Sequence, residues 1–299
     1  MTASLLIEQG FNGIQFGLIL FLMAVGVTLA FGVMNVVNLA HGSMLMLGAF
    51  AIAAATALIP SFFLALVAAM AGVAVVAAVL ERLVMRPLYR MSHLDQVLAT
   101  FGLSLAFNEA VIMIWGREPL YVSPPQWLAG SVPLAPGLDY PAWRLAVTAV
   151  ALVAGAALWF LLTRTRLGMQ IRAGAEKREV IAGLGVNIQL LFSAVFVISA
   201  LLAALAGVMI GPLVSVESAR GDSLVVLTLA VVVIGGLGSL RGALIASLFV
   251  GLLDTYGRML WPQLLGEVAG NILANAAVYV LMALVIAWRP TGLFGRHVG

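Results

Sequence analysis

Long apolar stretches recur along this whole sequence and are separated by short polar segments. A helix needs roughly 20 apolar residues to cross roughly 30 Å of hydrocarbon, so a chain of this length holds about eight or nine crossings. Only 9% of the residues are charged, against about 25% in a typical soluble domain. The sequence therefore predicts an all-α polytopic membrane protein, with residues 1–299 forming a single transmembrane domain.

The first stretch follows a segment without Lys or Arg and is longer than the apolar core of a secretory signal, so we expect an uncleaved span. The predicted stretches are Gly13–Val33, Ser43–Ile59, Phe62–Leu80, Gln96–Ile114, Leu145–Leu162, Leu191–Ile210, Leu224–Ile234, Ala243–Tyr256 and Asn271–Ala287. Stretches of roughly 10–14 residues are often re-entrant or broken helices. Leu224–Tyr256 is thus predicted to form either two compact spans or a hairpin that dips into the membrane.

The distribution of basic residues predicts the orientation, because short cytoplasmic loops retain Lys and Arg. Basic residues follow the third, fifth and last stretches, with the densest group at Arg164–Arg178. This pattern places the N-terminus outside, the C-terminus in the cytoplasm, an external loop at about 115–143 and a cytoplasmic loop at about 164–190. The external loop is rich in proline and tryptophan. We expect it to be extended and to lie at the interface, as a connector or as a docking surface for an external partner.

The residues needed for catalysis or cofactor binding are scarce. There is no cysteine, and His41, His93 and His297 are dispersed along the sequence, which argues against a metal site. The only lysine, Lys177, has no phosphate-binding glycine loop before it. We therefore expect no enzymatic activity, no cofactor and no ATP hydrolysis by this chain alone. Because the basic residues are scattered, we expect no binding of nucleic acid.

Two stripes of uncharged polar residues recur at helical spacing within the apolar stretches. Thr100, Ser104 and Asn108 follow one another at i, i+4, and so do Asn271 and Asn275. Residues at this spacing share one helix face. Polar faces in a membrane either hydrogen-bond to a neighbouring helix or line a wet pathway. Both interpretations remain open for each stripe.

Other polar residues interrupt or border the spans. Asn35, Asn38 and His41 separate the first two stretches; they form either a connecting turn or part of a broken helix that faces a pathway or a neighbouring subunit. Asp254 precedes Arg258 by one helical turn, which predicts an i, i+4 ion pair.

The segment Arg172–Asn187, RAGAEKREVIAGLGVN, is charged in the middle and contains good helix formers. Val180, Ile181 and Leu184 form a small apolar patch near its end, and Gly183 is expected to help end the helix. Such a helix is typical of a segment that docks into a groove on a cytoplasmic partner. The alternative is a helix that lies on the membrane surface with its basic residues toward anionic lipid.

Three segments together resemble the permeases of branched-chain amino acid importers of the Liv type, which are ATP-binding-cassette transporters. They are Asn35–Gly48, Arg172–Pro212 and Val233–Gly251, and the likeness in span order extends over nearly the whole chain. The resemblance implies that Ala175, Glu176, Gly183 and Leu184 contact an ATPase subunit. The usual Glu-Ala-Ala order of the wider importer signature is replaced here by Ala173–Glu176.

The same resemblance implies a bacterial inner-membrane location, and as partners a second related permease, two cytoplasmic ATPases and an external solute-binding protein. The resemblance implies a branched-chain or other small aliphatic amino acid as cargo, and the uncharged predicted lining suits an aliphatic amino acid, with urea or a short amide as an alternative. The function from another class that stays open is a stand-alone ion-coupled secondary transporter or channel for a small polar solute.

Overall fold

A computed structural model of the chain describes residues 3–135 and 137–295, so Arg296 and His297 lie outside the described residues, as do the side chains of Lys177 and Arg178. The α-helices within these residues are α1 (Ala3–Met34), α2 (His41–Leu58), α3 (Phe62–Leu80), α4 (Arg86–Leu88), α5 (His93–Trp115), α6 (Ala142–Arg164), α7 (Arg166–Gly183), α8 (Ile188–Ile210), α9 (Arg220–Gly235), α10 (Leu240–Leu265) and α11 (Glu267–Trp288). A π-helical turn, Glu81–Met85, joins α3 to α4.

Within the described residues, eight helices are long and apolar enough to cross a membrane. They are α1, α2, α3 with its continuation to Leu88, α5, α6, α8, α10 and α11. This confirms the predicted all-α polytopic architecture with about eight or nine spans. Helix α9, with 16 residues, is about 24 Å long at 1.5 Å per residue and is shorter than the hydrocarbon layer.

The prediction that Ala243–Tyr256 is short is wrong, because α10 has 26 residues. The helix continues past Asp254 and Arg258, the charged residues at which the predicted apolar stretch ends. Arg258 Nε donates to Asp254 Oδ2 at 2.8 Å, and Arg258 also donates from Nη2 to Oδ1 at 2.9 Å. This bidentate pair confirms the predicted i, i+4 ion pair, and neutralising the two charges lets the helix extend.

The described residues form two compact units. In the first, made of residues 3–24, 123–152 and 226–295, α10 packs along α11, and α1 approaches α10 at small residues. A methyl group added to Gly17 would lie 2.8 Å from the Ser247 carbonyl oxygen, and one added to Gly13 would lie 2.9 Å from Leu252. Glycine at these positions therefore permits close helix contact.

The second unit, residues 25–122 and 153–225, is arranged around α2, which packs against α3, α5 and α8. The contact between α2 and α8 is close on both sides. A methyl group at Gly48 would collide with the backbone of Ala204, and one at Gly207 would collide with the Leu45 carbonyl. Small residues at this crossing bring the two backbones together, as is common between membrane helices.

The segment between α5 and α6 contains a hairpin that was not predicted from the sequence. Its extended strands, β1 (Ser131–Ala135) and β2 (Leu138–Pro141), pair antiparallel, with Val132 opposite Tyr140. The Tyr140 hydroxyl donates to Asn12 Oδ1 at 2.9 Å, which ties the hairpin to α1.

Candidate functional site

The N-termini of α2 and α9 meet in the second unit. A methyl group added to Gly42 would collide with the carbonyl of Gly221, and one added to Gly221 would lie 2.5 Å from the Gly42 carbonyl oxygen. Only residues without a β-carbon allow the backbones to approach this closely. Two helix N-termini are thereby brought to one place. Several of their first N–H groups donate to the carbonyls just before each helix, as those of Ser43 and Arg220 do to Ala40 and Glu217.

Helix α9 begins beside the middle of α5, not at its end. Ser104, which lies halfway along the 23-residue α5, donates to Asp222 Oδ1 at 2.6 Å, and Asn108 Nδ2 donates to Asp222 Oδ2 at 2.6 Å. Asp222 belongs to the first turn of α9. The start of α9 is therefore level with the centre of a membrane-spanning helix.

Helix α2 begins in a comparable position beside α8. The Ser199 hydroxyl, midway along α8, donates to the Gly26 carbonyl at 2.7 Å. A methyl group at Gly26 would lie 2.9 Å from the His41 imidazole and 3.0 Å from the Ser199 carbonyl oxygen. His41, the first residue of α2, is thus level with the middle of α8 and with the last third of α1. Helices that begin within the spanning layer are found in transporters where they border a cavity.

The structure brings the predicted stripe Thr100, Ser104 and Asn108 onto the packed side of α5. Thr100 is fully buried, accepts from the Leu39 backbone N–H at 3.2 Å and donates to the Gln96 carbonyl at 2.8 Å. Ser104 and Asn108 both contact Asp222. Each residue of this stripe therefore hydrogen-bonds to a neighbouring segment.

The three polar residues around the start of α2, Asn35, Asn38 and His41, differ in their surroundings. Asn35 is exposed and has φ of 54°, a left-handed conformation that asparagine tolerates. Asn38 is half-buried, and its Oδ1 has no hydrogen-bond partner among the described residues. His41 is 3% exposed. The chain between α1 and α2 therefore turns back toward the middle of the spans.

Asn271 and Asn275 lie in the first unit and are exposed. Ala274 and Val278, which lie beside this stripe on α11, are buried, because that side packs against α10. Tyr279 continues the exposed polar stripe. Within the described chain, these side chains form no hydrogen bond to another helix. Packing inside the chain therefore does not explain why this stripe is polar.

A small pocket in the second unit lies beside the segment that joins α8 to α9. Its apolar lining includes Leu45 and Val214, and its polar edge is formed by Glu217 and Arg220. Arg220 lies 3.4 Å from Glu217, and Ser215 donates a hydrogen bond to the same carboxylate. The Ser215 hydroxyl and the Arg220 guanidinium hold the pKa of Glu217 below its usual range, so Glu217 is ionised at neutral pH.

The predicted cytoplasmic helix is present as α7. Thr165 begins it, since its hydroxyl accepts from the Gly168 backbone N–H at 3.1 Å, and Gly185, with φ of 84°, follows its end. One face packs on α8, where a methyl group at Gly174 would lie 3.1 Å from Leu191. The other face is open to a partner.

The residues expected to contact an ATPase, Ala175, Glu176, Gly183 and Leu184, are all exposed. The exposed fraction of Leu184 is 78% and that of Val180 is 55%. Ile181 was expected in the same patch but is buried, because it lies seven residues after Gly174 on the face that packs against α8. The open apolar patch therefore consists of Val180 and Leu184.

Two acidic residues that contact distant parts of the chain were not predicted from the sequence. Asp222, in the first turn of α9, is half-buried. Its proximity to Arg220 suggests an external loop, whereas the short apolar stretch that follows it, Leu224–Ile234, was the available signal that it lies inside the layer. Glu81 reads as the first residue of a cytoplasmic loop but is fully buried. Among the described residues, no three His, Asp or Glu side chains are placed to hold a metal ion.

Comparison with known proteins agrees with this architecture. Residues 10–288 match the family described as the permease component of the branched-chain amino acid transport system. The chain is 28% identical to the high-affinity branched-chain amino acid transport system permease protein BraD of Pseudomonas aeruginosa, over 97% of this chain and 96% of the relative.

The corresponding permease protein LivH of Escherichia coli is 27% identical over the same shares of the two chains. The ribose import permease protein RbsC of Escherichia coli is 25% identical over 94% of this chain and 85% of its own length. No solved structure matches the chain significantly. Because the family match covers almost all of the eight spans and the α7 segment, this chain belongs to the branched-chain amino acid transport permease family.

Proposed function

We propose that this chain is the membrane-spanning permease subunit of an ATP-driven importer for branched-chain or other small aliphatic amino acids. The observation that carries the proposal is the family match over residues 10–288. The chain forms half of a translocation pathway, and a second related permease forms the other half. Two ATPase subunits on the cytoplasmic side and a solute-binding protein outside complete the importer, which lies in the bacterial inner membrane.

Energy enters the permease through α7. Its face toward α8 is packed, whereas Ala175, Glu176, Gly183 and Leu184 are exposed, so a partner can engage them without rearrangement of the helix. An exposed leucine at the end of a charged helix suits a groove with an apolar floor. With α7 on the cytoplasmic side, the N-terminus lies outside the cell and the C-terminus in the cytoplasm, and the distribution of basic residues supports this orientation.

Polar side chains without a fixed charge are assigned to the pathway. In the second unit they are Asn35, Asn38, His41, Thr100, Ser104 and Asn108, and in the first unit they are Asn271 and Asn275. Amides exposed to hydrocarbon are costly. We therefore assign the exposed face of α11 to the pathway or to the second permease and not to lipid.

Isolation of the tagged chain from its native membrane tests the assembly. We expect a second permease and ATPase subunits to copurify in a stable complex, and deletion of the chain to abolish high-affinity leucine uptake by the cells. Recovery of the chain without any ATPase, together with unchanged leucine uptake after deletion, contradicts the proposal.

Replacement of the two exposed contacts of α7 tests the coupling. The double variant Glu176→Ala and Leu184→Ala is expected to reduce ATP-dependent uptake at least tenfold and to uncouple ATP hydrolysis from transport, because the variant lacks the contact surface. The helix itself should persist, since alanine favours helical structure. Uptake and ATPase rates are measured on the same purified complexes.

Met169→Ala is the matched control for this variant, because Met169 is another exposed apolar residue of α7, 57% accessible and near the beginning of the helix. We expect the control to leave both rates unchanged. If the double variant transports as well as the control, α7 does not carry the ATPase contact.

A further inference from the structure

We propose that the charged head group of a zwitterionic amino acid binds where α2 and α9 begin, with its ammonium group on Asp222 and its carboxylate on Ser43 and the N-terminus of α2. This inference rests on the proposed function and names a cargo site within it. It is carried by the unpaired charge at Asp222, the unpartnered hydroxyl of Ser43 and the uncapped start of α2.

The carboxylate of Asp222 keeps acceptor capacity for a cation. An ionised carboxylate has about four acceptor positions, and the hydrogen bonds from Ser104 and Asn108 occupy one on each oxygen. These two donors fix the orientation of the carboxylate without neutralising its charge. A primary ammonium group provides three donors and one positive charge, so it suits the remaining positions.

The charge of Asp222 is not balanced by a basic side chain. Within the described part of the chain, the ion pairs of Arg or Lys join Arg86 to Glu81, Arg220 to Glu217 and Arg258 to Asp254; none of them includes Asp222. An ionisable group level with the centre of a span is expensive and is typical of a functional position. The missing positive charge is therefore the kind of group that an amino acid cargo supplies.

Ser43 provides an independent observation on the opposite side of the site. Its side chain is 1% exposed, and its Oγ has no hydrogen-bond partner among the described residues. Phe50, which packs on Trp115 of α5 with ring centroids 5.4 Å apart, lies seven residues later and so shares the same face of α2. Ser43 thus faces α5.

The level of Ser43 along α5 follows from two fixed contacts. Leu39 contacts Thr100, near the beginning of α5, and Phe50 contacts Trp115 at its end. Because α2 and α5 run in the same direction between these contacts, Ser43 is level with the part of α5 that includes Ser104 and Asn108. The unpartnered hydroxyl is therefore directed toward the region occupied by Asp222.

The start of α2 favours a carboxylate. The residue before the helix, Ala40, makes no side-chain cap, and the first turn contains no acidic residue. The His41 and Ser43 N–H groups already donate to the Asn38 and Ala40 carbonyls, so the attraction of this N-terminus for an anion comes from the helix dipole and from the Ser43 hydroxyl. In α9 that position already holds Asp222, so the two adjoining N-termini differ: α9 presents a negative charge and α2 presents a positive end.

The chemistry of a zwitterion matches this difference. Its ammonium and carboxylate groups are separated by one carbon atom, and the α2 and α9 N-termini touch at Gly42 and Gly221. Both groups of the cargo are satisfied at one place, and the aliphatic side chain remains free for apolar surroundings. A solute that lacks either charged group leaves one half of the site unmatched.

Ligand-observed saturation-transfer NMR on the purified importer complex, without the external binding protein, tests this site. The probes are leucine, 4-methylpentanoate, which lacks the ammonium group, and leucinamide, which lacks the carboxylate. We expect wild type to bind leucine and to prefer it at least tenfold over both analogues. Asp222→Asn should weaken leucine binding at least tenfold and abolish the preference for leucine over 4-methylpentanoate.

Ser43→Ala tests the other half separately. This variant should weaken leucine binding severalfold but leave leucinamide binding unchanged, which a merely structural role of Ser43 does not predict. The matched control is Glu118→Gln, which removes an exposed carboxylate outside α2 and α9 and should leave every affinity unchanged. Because Ser43→Ala is read out independently, the test stands even if Asp222→Asn fails to assemble.

The outcomes separate this inference from the proposed function. If the wild-type importer takes up leucine with ATP but shows no leucine binding without the external protein, or if both variants keep the wild-type order of the three probes, the head-group site is refuted and the proposed function stands. If the wild-type complex shows no ATP-dependent leucine uptake, the proposed function itself fails.

Discussion

Glu81→Ala is expected to lower the free energy of unfolding by about 3–5 kcal/mol, the cost typical of breaking a buried ion pair. Glu81 is fully buried. Arg86 Nε lies 3.2 Å from both of its oxygens, and the Ser193 hydroxyl donates to Oε2 at 2.7 Å. Arg86 also donates to Ser193 at 3.0 Å. The Glu81 carboxylate thus joins the end of α3 to the second turn of α8.

Thermal unfolding in detergent measures this loss as a lower midpoint. Glu81→Gln retains an acceptor for Ser193 and should lose less stability than Glu81→Ala. Glu118→Ala removes an exposed carboxylate and is expected to change stability by no more than about 0.5 kcal/mol. Equal midpoints for Glu81→Ala and Glu118→Ala are incompatible with a structural role for the buried cluster.

Gly42→Ala is the second large effect, and we expect it to cost about 1–3 kcal/mol through overpacking and to abolish most transport. The added methyl group would collide with the Gly221 carbonyl and would lie 3.0 Å from Val225. Neither the backbone of α9 nor a β-branched side chain gives way easily. The N-termini of α2 and α9 must then move apart, which separates the groups proposed to hold the cargo.

Gly102→Ala is the matched control, since a methyl group at Gly102 of α5 would meet nothing within 4 Å. Alanine is favoured over glycine inside a helix by roughly 0.8–1.0 kcal/mol, so this variant should be as stable as wild type or more so. Unfolding midpoint and leucine uptake are compared for the two variants. If Gly42→Ala behaves like Gly102→Ala, the close approach of α2 and α9 has no functional importance.

Local sequence patterns were sufficient for α7 and for the spans, except for the length of α10. Apolar length depends only on neighbouring residues, and so does the change from charged helix formers to glycine at the end of α7. The Asp254–Arg258 pair was predictable for the same reason, because its partners lie one turn apart on one helix. Such features need no knowledge of how distant helices pack.

Features that depend on partners far along the chain were not predictable in this way. Asp222 contacts Ser104 and Asn108 across more than 100 positions of sequence, and Glu81 meets Ser193 over a similar separation. The burial of Ile181 likewise follows from the packing of α7 on α8. The stripe on α5 shows this most clearly. The helical spacing of its polar residues was evident from the sequence, whereas its contact with the Asp222 carboxylate was not.

ATP-dependent uptake of leucine into proteoliposomes is the most direct test of the permease assignment. Vesicles contain this chain, its second permease and the ATPases, with ATP in the lumen and the binding protein and leucine outside. We predict uptake that requires ATP and stops when this chain or the ATPases are omitted. Leucine uptake by this chain alone, driven by an ion gradient without ATP, would contradict the assignment and identify a stand-alone transporter.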